Sequence, residues 1–184
     1  MITIIYAHPY PKRSRANRAL LAAVRDVNNV KLRSLYDLYP DFGIDVESEQ
    51  ASLADADVIV WQHPIYWYST PGLLKHWFDK VLARGWAYGQ GGNALRGKPL
   101  LWVATTGGDE DSYNTEGMHA FPFDTFVPVI RQTAEFCGMK WATPIVVHNA
   151  HRISDQELAS FGTAYRKQLV SLAAESKGLE VVHG

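Results

Sequence analysis

The sequence is poor in cysteine, with Cys137 as its single example among 184 residues. One thiol cannot form a disulfide within the chain, and it is no basis for a structural zinc site, which is built from several cysteine and histidine ligands. Cys137 stands just before Gly138, where a helix is expected to end, so we predict a buried thiol. The cysteine content therefore excludes disulfide-stapled and zinc-stabilised folds.

The sequence also lacks an excess of charge of one sign and any long apolar run. Its 18 basic and 19 acidic residues give a formal net charge of −1, so neither nucleic acid nor strong attraction to a membrane is expected. No run approaches the ~18 to 20 apolar residues that cross a bilayer. The first residues, MITIIYAHPYP, have no basic leader and are typical of a strand rather than a signal peptide. We therefore expect a cytoplasmic protein.

What the sequence does contain is a regular alternation of strand-like and helix-like segments. Hydrophobic residues make up 47% of the chain and charged residues 20%, which is typical of a globular protein with one core. The apolar patterns predict strands at 2–7, 30–38, 57–62, 99–108 and 144–149, and helices at 15–27, 47–56, 70–85, about 126–137 and from 154 onward. This alternation predicts a single α/β domain over residues 1–184, with a five-stranded, doubly wound parallel sheet and helices on both faces.

Capping residues mark where three of these helices should begin. Ser14 and Thr70 are predicted N-caps, and Pro71 would occupy the first helical position after Thr70. Ser154 and Glu157 have the spacing of a capping box at the start of the last helix.

Three loops follow strands of this sheet and have unusual compositions. In an open α/β sheet, ligands bind outside the carboxyl ends of the strands. The loops are AHPYPKRSRAN at 7–17, HPIYWYSTPG at 63–72 and TTGGDEDSY at 105–113. All of them are expected at the same edge of the sheet, and this convergence predicts a binding site there.

The first loop leads into a helix whose free N–H groups and dipole favour an anion, typically a phosphate. His8, Lys12, Arg13, Ser14 and Asn17 add positive charge and short hydrogen-bonding side chains. Taken alone, a simple helix cap beside a solvated basic pair is the simpler interpretation.

The second loop carries a second His-Pro step, His63-Pro64, and several aromatic residues. Trp67 and Tyr68 could border a planar ring, with the backbone amides of residues 65–68 at its polar edge; an aromatic core is the alternative. His8 and His63 have no third ligand at a useful spacing, so no metal site is predicted.

The third loop contains Gly107 and Gly108, which would let the backbone approach a ligand closely, or would simply form a tight turn. Two other patterns are discounted. GQGGNA at 89–94 follows a helix rather than a strand, so it lacks the context of a dinucleotide fingerprint. The acidic run at 109–111 is interpreted as a solvated loop.

Taken together, the motifs resemble a known family. The chain is similar to the flavodoxin-like NAD(P)H:quinone oxidoreductases and, among them, to the ancillary proteins of glutathione-regulated potassium efflux antiporters (the KefF type). The matching segments are YAHPYP, SRAN, LYDLYPDFGIDV, EQASLADADVIVWQHPIYWYS, LLKHWFDKVLARGWAYGQGG and WVATTGG. Their order and spacing run from the first strand to the last helix, which makes the resemblance specific.

The resemblance implies a flavodoxin-like fold and a tightly bound flavin, FMN in the ancillary proteins or FAD as in the animal quinone reductases. It implies that His8, Ser14, Arg15, Ala16 and Asn17 hold the flavin phosphate. It also implies that the isoalloxazine edge is lined by Ile65, Tyr66, Trp67, Tyr68, Thr105, Thr106, Gly107 and Gly108.

The resemblance further implies a catalytic pair, Tyr113 and His119, which would assist hydride transfer in a ping-pong reaction from NAD(P)H to a quinone. A histidine suits this role because its ordinary pKa lies near neutrality; without the resemblance, the pair is an ordinary loop tyrosine and histidine. Trp67, Tyr88, Tyr113 and His119 would contact the substrates, with Tyr88 reaching the active site of a partner subunit in a homodimer.

Two other functions remain open at this level. The protein is interpreted either as such an enzyme or as a non-catalytic regulatory subunit at the cytosolic face of a potassium efflux antiporter, and the two roles can coexist. A one-electron carrier of the flavodoxin type is less favoured, since such carriers are strongly acidic while this chain is nearly neutral.

Overall fold

A single parallel sheet lies at the centre of the computed structural model, which describes the backbone of residues 1–182 and the side chains of residues 1–176. Within this part of the chain, the strands are β1 Ile2–Tyr6, β2 Val30–Ser34, β3 Val58–Pro64, β4 Pro99–Thr105, β5 Lys140–Trp141 and β6 Ile145–Val147. The extent of the domain over residues 1–184 stays a prediction.

The strand order is β2-β1-β3-β4, with β5 and β6 both pairing with β4. Lys140 and Trp141 pair with the start of β4, and residues 145–147 pair with its end. These two short segments share the fifth position of a doubly wound sheet. The fifth strand therefore begins earlier than the sequence predicted, and it is interrupted near Pro144, which has no amide hydrogen for the ladder.

Helices cover both faces of the sheet, as predicted. They are α1 Arg15–Val24, α2 Leu35–Leu38, α3 Val46–Ala54, α4 Gly72–Val81, α5 Val127–Phe136 and α6 Asp155–Val182. Helices α1 and α6 pack on one face with Ile2 and Ile4, while α3, α4 and α5 pack on the other with Ile5 and Ile59. The alternating side chains of the buried strands thus serve two cores.

Two of the three predicted caps are present. The Ser14 hydroxyl accepts a hydrogen bond from the Asn17 amide at 3.3 Å. At the start of α6, the Ser154 amide donates to the Glu157 carboxylate at 3.1 Å, and the Glu157 amide donates back to the Ser154 hydroxyl at 3.2 Å. This reciprocal pair is the predicted capping box.

The third cap and two element boundaries were predicted wrongly. Helix α4 begins at Gly72 with Pro71 as the cap residue, so Thr70 does not cap it, and α4 ends at Val81 rather than near Gly85. The strand predicted at 30–38 stops at Ser34, where α2 begins. The alternating pattern of this edge segment continues into α2, so periodicity alone did not mark the boundary.

A buried carboxylate joins the sheet to two helices. Glu49 on α3 is fully buried, and it accepts hydrogen bonds from Arg33 Nε at 2.9 Å, the Tyr39 hydroxyl at 2.7 Å and Trp77 Nε1 at 3.0 Å. These donors come from β2, the end of α2 and α4. A buried charge is tolerated only with such partners, so this cluster fixes α3 and α4 against the sheet edge.

Two further observations concern the whole described chain. Cys137 is buried, as predicted. Across the described residues, no helix has the length and apolar character required to cross a membrane.

Candidate functional site

A cavity of about 360 Å³ opens at the carboxyl ends of β1, β3 and β4, beside the N-terminus of α1. Most of the residues predicted to bind the flavin line it, namely His8, Ser14, Arg15, Ala16, Ile65, Tyr66, Thr105, Thr106 and Gly107. The three loops singled out from the sequence therefore meet at one place, as the parallel sheet requires.

His8 is oriented by its own loop. Its Nδ1 accepts a hydrogen bond from the Tyr10 amide at 3.0 Å, so the neutral ring carries its proton on Nε2 and can donate it to an anion. Burial and the nearby His151 lower the pKa of His8. An anion placed between the two rings would offset this effect by stabilising the protonated forms.

Arg15 and Ala16 offer backbone amides of the first turn of α1 to an anion. The Arg15 side chain has other partners. Its guanidinium donates to the Ile153 carbonyl at 2.7 Å and forms an ion pair with Asp155. Arg15 thus ties the start of α1 to the loop that precedes α6.

The Asn17 side chain also bonds inside the protein. Its Nδ2 donates to the Ser14 hydroxyl at 3.1 Å and to the Thr105 hydroxyl at 3.0 Å, while its Oδ1 accepts from Gln62 at 3.2 Å. Asn17 is 1% exposed, so it is a structural tie between the first and third loops.

The aromatic loop is a tight hairpin. Tyr66 and Ser69 exchange backbone hydrogen bonds of 3.1 and 3.0 Å, and the two residues between them, Trp67 and Tyr68, have positive φ angles of 50° and 60°. This is the geometry of a type I′ turn, which usually employs Asn or Gly. Bulky residues are uncommon in such a conformation, and strain of this kind is concentrated at functional sites.

The hairpin presents its aromatic tip to solvent. The Trp67 side chain is 92% exposed, while Tyr68 stacks on Phe126 at 5.2 Å between ring centroids. The alternative of an aromatic core is therefore wrong for Trp67. Of the backbone amides predicted to face a ring, that of Ile65 donates to Thr105 and that of Tyr66 to Ser69, so these two are already engaged.

The TTGG turn is fixed from both sides. The Thr106 hydroxyl donates to the Gly108 carbonyl at 2.7 Å, and the Asn149 amide donates to the same carbonyl at 2.8 Å. The Thr106 amide in turn donates to the Val147 carbonyl at 2.9 Å. The turn is thus bonded to β6 and to the loop that follows it.

Tyr113 and His119, predicted as the catalytic pair, form a stack. Their rings lie 4.1 Å apart with an interplanar angle of 16°. Tyr113 is buried, and burial raises its pKa, while the nearby Thr106 side chain opposes the shift. Nδ1 of His119 lies 3.4 Å from the Tyr68 hydroxyl, which links the stack to the aromatic hairpin.

Nε2 of His119 is buried and has no hydrogen-bond partner within the described residues. A buried polar atom without a partner is costly and needs an explanation, and a catalytic role is one such explanation. The unpaired nitrogen lies against Gly108, where a β-carbon would be only 2.5 Å away.

The two glycines of the turn should therefore respond differently to alanine. A β-carbon at Gly108 would also lie 2.8 Å from the Ser112 hydroxyl, whereas the nearest atom to one at Gly107 is 4.0 Å away, on His151. We expect Gly108→Ala to lower the free energy of unfolding by about 1–2 kcal/mol, because the His119 loop must shift. Gly107→Ala should stay within about 0.5 kcal/mol. Urea unfolding of the flavin-free proteins measures both, and equal losses would contradict the packing described here.

The site has a fourth loop, which follows β6 and was not predicted from the sequence. In this loop, His148 Nδ1 is hydrogen-bonded to the Thr106 hydroxyl, and Ala150 and His151 line the cavity. The signal was available, because any loop at the carboxyl end of a parallel strand belongs to the ligand-binding edge.

Tyr88 is the predicted residue that lies elsewhere. It lines a second cavity of about 590 Å³ between α4 and α5, and its ring lies 5.1 Å from that of Phe136. Neither the TTGG turn nor the Tyr113–His119 stack contributes to the lining of this second cavity.

His63, the other half of the repeated His-Pro step, is structural. It is completely buried, its Nε2 accepts a hydrogen bond from Trp102 Nε1 at 2.8 Å, and its Nδ1 lies 2.9 Å from the Pro64 carbonyl. Burial lowers the pKa of His63 from 6.5 to about 4. No group of three or more His, Cys, Asp and Glu side chains that could hold a metal ion occurs among the described residues.

The flavodoxin-like fold family matches residues 1–169 of this sequence. The chain therefore belongs to the flavodoxin-like fold family, and the predicted fold is confirmed. The strand order of the sheet agrees with this assignment.

Within the family, the chain is a homologue of KefF. The glutathione-regulated potassium-efflux system ancillary protein KefF of Klebsiella pneumoniae is 51% identical over 170 residues, which cover 92% of this chain and 95% of that relative. The predicted resemblance to the KefF type is thus confirmed.

Two solved structures are also similar. General stress protein 14 of Treponema denticola, crystallised in complex with FMN, has 32% identity and a TM-score of 0.81, covering 94% of this chain and 98% of its own. An NADPH-quinone reductase from P. pentosaceus has 28% identity and a TM-score of 0.82, covering 91% and 96%.

Proposed function

We propose that this protein is an NAD(P)H:quinone oxidoreductase that uses FMN for two-electron hydride transfer. The observation that carries the proposal is the unpaired, buried Nε2 of His119, stacked with Tyr113 at the end of the TTGG turn. Similarity to an FMN complex and to an NADPH-quinone reductase supports the same chemistry.

The residues present fit FMN at both of its ends. For the phosphate, the cavity offers the first turn of α1, the Nε2 proton of His8 and the positive charge of Arg13. For the planar ring, Gly107 leaves open space on the cavity wall, while the hairpin of residues 66–69 borders the site. FAD is the alternative cofactor.

FMN, when bound, supplies the hydride chemistry between NAD(P)H and a quinone. The chain's own residues supply position and protons. His119 can hold or release a proton at Nε2, and the Tyr113 hydroxyl can orient a polar group beside it. The aromatic rings of Trp67 and Tyr68 would border a flat slot that the two substrates occupy in turn.

We also propose a homodimer. Val129 and Phe136 are 66% and 62% exposed and line the same α4–α5 cavity, and a contiguous apolar patch of this kind is often covered in an assembly. Phe136 and Tyr88 both line the α4–α5 cavity, so a partner docked on this face would contact Tyr88. The elution volume and light scattering of the purified protein measure this state.

A second role is favoured by the relatives, which are named ancillary proteins of a potassium-efflux system. On this proposal the protein acts in the cytoplasm and associates with the inner face of the membrane through an antiporter partner. A variant that binds no flavin separates the two roles, since it should still activate the antiporter if the regulatory role is independent of catalysis.

The visible absorption spectrum of the purified protein tests the enzymatic proposal. We expect a flavin spectrum that bleaches when NADPH is added without oxygen and returns when a quinone follows. Mass spectrometry of the released cofactor distinguishes FMN from FAD. A colourless protein that neither FMN nor FAD reconstitutes would overturn the proposed activity and favour the regulatory subunit.

A further inference from the structure

His148 lies where β6 ends and the loop that follows it begins. It directly follows Val147, the last residue of β6, and its side chain turns towards the TTGG turn. Its Nδ1 is 3.0 Å from the Thr106 hydroxyl oxygen. The proposed chemistry assigns no role to this histidine.

The direction of this hydrogen bond follows from its neighbour. The Thr106 hydroxyl lies 2.7 Å from the Gly108 carbonyl, which can only accept. The Thr106 hydroxyl therefore donates its proton to the Gly108 carbonyl, and its oxygen accepts a hydrogen bond from His148. The Nδ1 atom of His148 must then carry a proton.

This bond extends to the catalytic pair through Gly108. A β-carbon on Gly108 would lie 2.5 Å from His119 Nε2 and 3.2 Å from the Tyr113 ring. Both rings therefore pack directly against the Gly108 backbone. The Thr106 hydroxyl donates a hydrogen bond to the Gly108 carbonyl, and His148 Nδ1 donates to the Thr106 hydroxyl oxygen. A loss of the His148 proton donor would free the Thr106 hydroxyl to rotate, which would leave the Asn149 amide as the remaining hydrogen bond to the Gly108 carbonyl.

The His148 ring also touches the stack directly. Its centroid is 5.4 Å from that of Tyr113 and 5.0 Å from that of Phe123, the latter at an angle of 89°. Burial lowers the pKa of His148, which the carboxylates Glu110 and Asp109 oppose. His148 thus contacts Tyr113 directly, and it is linked to His119 only through Thr106 and Gly108.

We propose that His148 is a positioning residue, whose Nδ1–H holds the Thr106 hydroxyl and thereby sets the place of the Tyr113–His119 stack. The functional half of this inference rests on the proposed oxidoreductase activity, and the geometric half does not. The decisive property is one proton donor at the Nδ1 position.

Asparagine and glutamine test that property, because the Asn amide can occupy the place of Nδ1 while the Gln amide reaches the place of Nε2. We expect His148→Gln and His148→Leu to slow flavin reduction by NADPH about tenfold, since small displacements of catalytic groups are costly. His148→Asn should recover most of the rate. His76→Asn on α4, whose ring contacts Phe42 away from the site, is the matched control.

A readout without activity comes from the histidine ring resonances of the protein in NMR spectra. The His119 signals should shift in His148→Gln and in Thr106→Val, which removes the same hydroxyl, and return in His148→Asn. In a His119→Gln background, His148→Gln should slow flavin reduction by NADPH little further, because both changes act through the His119 side chain.

The outcomes separate the two proposals. Unshifted His119 signals in His148→Gln and Thr106→Val would overturn the positioning role, whatever the activity. Equal rates for the Asn and Gln variants would do the same. A wild-type protein that NADPH cannot reduce would overturn the proposed function, while the His119 signals would still decide the role of His148.

Discussion

Replacing His119 with Gln is expected to slow reduction of the bound flavin by NAD(P)H about a hundredfold, which is the lower range for loss of a general acid–base. Flavin content should be unchanged, because His119 lies outside the residues that line the phosphate cavity. The fall should appear in the reductive half of the reaction.

The reason lies in what Gln keeps and what it loses. The Gln amide can place a hydrogen-bond donor near the position of the buried His119 Nε2, which lies against Gly108. The side chain would then occupy the place of the ring that stacks with Tyr113. It cannot take or release a proton near neutrality, as imidazole can. Leu loses both properties, so His119→Leu should be slower still, and the step between the two variants measures the hydrogen bond alone.

Anaerobic stopped-flow absorption in a single turnover is the measurement. Met118→Gln is the matched control, because Met118 is the adjacent residue and is 87% exposed. A His119→Gln rate equal to that of the control would remove His119 from the catalytic pair. A rate that falls only together with flavin content would show a binding role instead.

Much of the fold could be predicted because its strongest signals are local. The apolar runs that became β1 and β3 are buried on both sides, and such runs have few alternatives to a central parallel strand. The caps at Ser14 and Ser154 depend on one side chain reaching its own helix, so sequence spacing was enough to predict them.

The boundaries that failed depend on contacts far along the chain. The switch from β2 to α2 brings Tyr39 to Glu49, ten residues later, and no local pattern records this pairing. Similarly, β5 and β6 are defined only by pairing with β4. Tertiary contacts decided these elements, and local propensity did not.

For the candidate site, the sequence predicted which residues lie there better than it predicted what their side chains contact. Loop position placed His8 and the TTGG turn at the correct edge. That the Arg15 guanidinium bonds to Ile153 and that the Asn17 amide bonds to Thr105 depends on side-chain directions, which only the folded chain defines. His148 was overlooked because it was classed with its strand rather than with the loop.

Stability should depend on pH through His63, the second large effect that we expect. The folded protein holds this ring neutral, with a pKa of about 4 against its ordinary 6.5. Above pH 6.5, both folded and unfolded states are neutral and the effect vanishes. Between pH 6.5 and 4 the unfolded chain binds a proton that the folded one cannot, so the free energy of unfolding falls as the pH falls, by about 3 kcal/mol in all.

His63→Gln isolates this contribution. Gln keeps an acceptor for Trp102 Nε1 and does not titrate, so the stability of this variant should fall about 3 kcal/mol less than that of wild type over the same interval. The other histidines contribute equally to both proteins, and urea unfolding at several pH values gives the difference between the two curves.

Parallel curves would mean that His63 is protonated within the fold at a normal pKa. That result is hard to reconcile with the contacts of the ring, because a proton on Nε2 would face the Trp102 N–H at 2.8 Å, donor against donor. The ring would have to turn or leave its site. His63 is followed by Pro64 and the hairpin of residues 66–69, so its movement would also displace the aromatic hairpin beside the proposed flavin site. Acid should therefore weaken flavin binding along with stability.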